Sequence, residues 1–110
     1  MSGQDLMDEL SGKIALLDKA LGEFGRRGRA YAQAEHDYRT ALSSEIAKER
    51  ANGTPVSIIN DLCRGKPHIA KQRLERDISE VVYKAAGEAI NSYKLQIRVL
   101  EGQIDREWRG

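Results

Sequence analysis

Apolar residues recur along the first half of the chain at Leu10, Ile14, Leu17, Leu21 and Phe24, and then at Tyr31, Tyr38, Leu42 and Ile46, with Gly28 in step. From Leu10 to Tyr31 the steps alternate between four and three residues, the rhythm of a helix packed along one seam. Ser2 and Asp5 have the spacing of an N-terminal capping arrangement, with the acid at the positive end of the helix dipole. Asn52-Gly53 supplies a stop, because both residues tolerate left-handed backbone angles. The pattern predicts a first helix over about residues 4–51.

A second series begins after Pro67: Ile69, Leu74, Ile78, Val82, Ala86, Ile90, Tyr93, Ile97, Leu100 and Ile104. Proline suits the first helical turn, where its missing amide would have no partner anyway. The second helix is expected over about 67–108, with Trp108 as an anchor onto a neighbouring helix. The connection, 53–66, reads as structured. Thr54 is placed to cap, Pro55 to occupy the first helical position, and Gly65 to close the end. Val56, Ile59, Leu62 and Cys63 share one face of the short helix between them. These elements imply an all-α fold with one domain over 1–110: a long antiparallel, coiled-coil-like helical hairpin with a short helix in its connection.

Two paired helices leave wide apolar stripes wet, and the second helix carries Val81, Val82, Ala85, Ala86, Ala89 and Ile90 on one broad face. A homo-oligomeric helical bundle, dimeric or higher, is the expected remedy. Gly22, Gly25 and Gly28 fall on one side of the first helix, where they suit either close approach of a backbone or ligand, or a kink.

Composition narrows the function. The 110 residues hold 32% charged and 5% aromatic residues, with a net charge of +1. Cys63 is the single cysteine, so no disulfide framework is available, and a reducing cytoplasm fits. No apolar run approaches the roughly 20 residues of a membrane span, and the acidic N-terminus is unlike a secretory signal. No nucleophile, base and orienting group occur at a recognisable spacing, so the chain reads as non-enzymatic, with no catalytic residue, metal site or cofactor.

Charge is nonetheless segregated. Residues 1–25 balance to −3, whereas 53–76 balance to +3. Two predicted helix N-termini fall in that basic stretch, and exposed amides with a partial positive charge suit phosphate. Arg64, Lys66, His68, Lys71 and Arg73 are the candidate anion contacts, with Thr54 and Ser57 orienting the ligand and Tyr83 stacking on a base. A phosphate-bearing, nucleotide-like molecule bound between subunits is the expected ligand. Nucleic acid is the competing use of such charge, with Arg26, Arg27 and Arg29 as contacts, against which stands the near-zero net charge. A third alternative is a protein–protein interaction module that blocks another protein.

The stretches Gly53-Thr54-Pro55-Val56 to Asp61, Arg64-Gly65, Arg73-Leu74-Glu75-Arg76-Asp77-Ile78, Tyr83, Tyr93-Lys94-Leu95-Gln96-Ile97-Arg98 and Arg106-Glu107-Trp108 resemble small helical proteins encoded in bacteriophage and prophage regions. The resemblance covers the C-terminal half and brings no catalytic or binding residue with it. It implies a cytoplasmic phage accessory protein in a bacterial host. Proteins of that class often counter host defence by binding an effector or sequestering a nucleotide signal.

Overall fold

The computed structural model describes residues 2–109, in which three helices and no strands occur: α1 (Gly3–Ala51), α2 (Val56–Arg64) and α3 (Pro67–Arg109). The ends fall where the sequence chemistry places them. The Ser2 hydroxyl accepts from the Asp5 amide at 3.1 Å, and the Ser2 amide donates to the Asp5 carboxylate at 3.4 Å, a reciprocal cap. At the other end of α1, Gly53 takes φ 81°. Its amide donates to Arg50 O at 3.1 Å and that of Thr54 to Glu49 O at 3.0 Å, so the last carbonyls of the helix are satisfied. Helix α1 runs unbroken through Gly22, Gly25 and Gly28. A Cβ on Gly22 would meet only the Arg26 side chain one turn along the same helix, which gives no sign of close approach there.

The cap of α2 differs from expectation. Pro55, not Thr54, is the N-cap, and no side chain caps the helix. The reason is competition: the Thr54 hydroxyl donates to the Glu49 carboxylate at 2.6 Å, a charge-assisted bond stronger than a neutral cap. Gly65 closes α2 in a right-handed conformation, with its amide on Asp61 O at 3.1 Å.

The chain forms two compact units, one from residues 2–26 and 83–109, the other from 27–82. In the first unit, Leu6 shares a groove with Gln103 and Arg106, and Leu21 and Phe24 share another with Lys84, Gly87 and Asn91. Rising numbers on α1 meet falling numbers on α3, so the two segments run antiparallel. Leu6, Ile90 and Leu100 are its buried apolar residues. Phe24 stacks on Tyr83 with centroids 4.7 Å apart. Gly87 makes room for that pair, since a Cβ there would lie 3.2 Å from the Phe24 ring. Trp108 lies over Gly3 of the same chain and is otherwise exposed.

In the second unit α1 and α3 are again antiparallel: Tyr38 faces Arg76, and Glu45 faces His68. Its buried residues are Tyr38, Glu45, Ile59, Cys63 and Ile69. Helix α2 buries Ile59 and Cys63, one turn apart, but leaves Val56 and Leu62 exposed, so only half of its expected face is covered. The seams of the long helices also shift. Ile14, Leu21, Leu74 and Ile78 are exposed, and Lys13, Ala20, Gln72 and Arg76 take the inward positions beside them. A two-helix contact is a narrow line, and along it the Arg76 guanidinium covers the buried Tyr38 ring, 4.6 Å from its centre.

Candidate anion-binding groove

Glu35, Arg39, Leu42, Ile46 and Arg50 succeed one another on α1 at steps of three or four residues, and so present one helical face. That face forms one wall of a groove of about 690 Å³ in the second unit. Tyr38 and Ser43 complete the α1 lining, Arg64 comes from the last residue of α2, and Arg73 and Arg76, one turn apart, come from α3. Five guanidinium groups therefore line a single groove.

Their surroundings divide them into two sets. Arg76 lies 4.6 Å from the centre of the Tyr38 ring, 2.8 Å from Asp77 and 3.4 Å from Glu35. Its hydrogen bond to Asp77 holds its pKa above the ordinary value. Arg39 also pairs with Glu35. These two are neutralised in place. Arg50, Arg64 and Arg73 are exposed and have no acidic partner among the described residues. Tyr38 is only 5% exposed and lies under the Arg76 guanidinium, so it supports the groove and offers no free ring face.

Of the residues expected to bind a ligand, the structure brings Arg64 and Arg73 to this groove. It engages three others elsewhere. Lys66 Nζ lies 2.9 Å from Glu45 and 2.6 Å from Glu49, His68 Nε2 is 3.0 Å from Glu45, and Thr54 is held by Glu49. Lys66 and Thr54 thus serve as internal partners of two α1 carboxylates. The Lys66 ammonium holds Glu45 down to about pKa 2 and also lowers Glu49, while its own pKa is raised by both. Ser57 and Lys71 are exposed and lie outside the groove lining. Tyr83 belongs to the first unit, where Phe24 occupies its face. Arg26 is paired with Glu23 at 2.9 Å in the first unit, while Arg27 and Arg29 are exposed in the second and do not line the groove.

Arg76 belongs to the basic stretch 53–76 and is paired with acids, whereas Arg39 and Arg50 lie outside every local concentration of basic charge. Arg39 and Arg50 are eleven residues apart and align only through the helical period. Their signal in the sequence is that both fall on the helical face that carries Leu42 and Ile46. Among the described residues, no group of His, Cys, Asp and Glu is arranged to hold a metal, and no helix is long and apolar enough to cross a membrane. Comparison of the chain with protein families, curated proteins and solved structures gave no match.

Proposed function

We propose that this protein binds a phosphate-bearing small molecule in the arginine-lined groove, without turning it over. The observation that carries the reading is the convergence of Arg50, Arg64 and Arg73, one from each helix, with no acid among the described residues to satisfy them. Arginine pairs bidentately with phosphate, and a groove of about 690 Å³ falls within the roughly 300–1,000 Å³ usual for small-molecule sites. The resemblance to phage-encoded proteins supports sequestration of a nucleotide signal as the setting, in the cytoplasm of a bacterial host. Calorimetry tests the site. Wild-type protein is expected to release heat with ATP, and Arg64→Ala with Arg73→Ala to weaken binding by at least about a hundredfold, since each charged contact is worth roughly 1.5–3 kcal/mol. Unchanged affinity in the double variant would remove this groove from consideration.

The protein is further proposed to act as a homo-oligomer through α3. Leu74, Ile78 and Val81 are 58%, 54% and 67% exposed and recur at steps of four and three. That is the spacing of residues that interlock between helices. An antiparallel α3 from a second copy, with the two-fold axis between Ser79 and Glu80, sets Ile78 against Val81 and Lys71 against Glu88 of the opposite chain, so apolar and charged positions both match. Light scattering at micromolar concentration is expected to give a dimer or larger species. Ile78→Glu with Val81→Glu is expected to give a monomer of unchanged helicity.

A further inference from the structure

The groove is rich in charge and poor in anything that reads a base. Its one aromatic residue, Tyr38, is covered by Arg76 at 4.6 Å. Besides the arginines and Tyr38, the lining offers Leu42, Ile46, a single hydroxyl, Ser43, and one carboxylate, Glu35, which Arg39 and Arg76 already hold. Stacking on an exposed ring and paired donors and acceptors along the base edge are the usual means of base recognition. Neither is present.

The charge count is more informative. Glu35 and Asp77 neutralise Arg39 and Arg76, leaving three guanidinium groups, Arg50, Arg64 and Arg73, one on each helix. One phosphate brings about 1.5–2 negative charges at neutral pH, fewer than the three positive charges of Arg50, Arg64 and Arg73. A chain of two or three phosphates brings about three to four charges and has enough oxygens for a bidentate contact with each.

We infer that the groove recognises a linear chain of two or three phosphates, free or carried by a nucleoside, and that the base contributes little. This rests on the groove being the ligand site proposed above. The experiment compares tripolyphosphate, ATP, CTP, AMP and adenosine by calorimetry at one fixed ionic strength, using the full chain. Tripolyphosphate, ATP and CTP are expected to bind within about threefold of one another, AMP at least about tenfold more weakly, and adenosine without measurable heat. Arg50→Ala, Arg64→Ala and Arg73→Ala are each expected to weaken tripolyphosphate and ATP by the same factor, with unchanged far-ultraviolet circular dichroism. Binding of ATP without tripolyphosphate, or more than about a tenfold preference for ATP over CTP, would overturn the inference and leave the groove as a nucleotide site. Binding of an oligothymidylate when tripolyphosphate does not bind would overturn it in favour of a nucleic-acid backbone. No heat from any phosphate compound would overturn both the inference and the proposed function.

Discussion

Replacing Ile69 with alanine is expected to lower the unfolding free energy by about 2–5 kcal/mol, the range for truncating a buried branched side chain that leaves a cavity. Ile69 is fully buried in the first turn of α3, and Cys63 at the end of α2 is buried to the same degree. The 27–82 unit has few other buried apolar residues, namely Tyr38 and Ile59. Little surrounding bulk is available to collapse into the space, which places the loss in the upper part of that range. Thermal unfolding should show a fall of at least about 10 °C for a chain of this length. Val56→Ala is the matched control. Val56 is 78% exposed, so its truncation should stay within about 0.5 kcal/mol. Equal losses at the two positions would mean that the turn is not held by the residues buried in it.

The contrast between Ile69 and Val56 shows what a hydrophobic pattern reveals and what it leaves open. Periodicity, proline positions and the Asn52-Gly53 stop located all three helices, because these signals are local and each acts through backbone geometry. Which side of each stripe turns inward is not local. Leu74 and Ile78 satisfied the period as well as Val82 did, yet they are exposed and Gln72 and Arg76 face inward. A helix of this kind has more apolar face than one partner covers, and the sequence carries no mark for which edge is covered first.

The same limit applied to the charges. Lys66 and His68 looked available for a ligand because the nearest acids in sequence were few. Glu45 and Glu49 lie 21 and 17 residues from Lys66 and reach it only through the fold. Arg64 and Arg73 line the groove with no acidic partner among the described residues, and the one carboxylate of that lining, Glu35, is held by Arg39 and Arg76. Long-range pairing therefore decided which basic residues stayed open to solvent. The excess of arginine over glutamate around the groove was present in the composition of residues 27–82, but its convergence was not.

Lys66→Met should produce the largest effect of any single charge change, and one whose size depends on pH. Glu45 is 8% exposed and Glu49 is half-buried, one turn apart on α1, and Lys66 is the cation they share. Removing the ammonium leaves two like charges at i,i+4 with their common partner gone, which destabilises the helix end and the turn together. The wild-type chain draws its benefit from ionised carboxylates. Glu45 falls from an ordinary value of 4.5 to about 2 in the folded protein. Its contribution is therefore complete above pH 4.5 and declines as pH falls toward 2. Glu49, lowered in the same direction, adds to that decline. Lys66 is raised above its ordinary 10.5, so its contribution persists through neutral pH and is lost only in strong alkali. The variant should thus melt several degrees below wild type at pH 7, and the gap should close steadily between pH 4.5 and 2 as wild type loses the carboxylates that the lysine stabilised. His68 and Lys48 still contact Glu45 in the variant, so a shallow acid dependence should remain there. A melting difference that stays constant from pH 7 to pH 2 would show that Lys66 acts through the packing of its aliphatic stem and not through its charge.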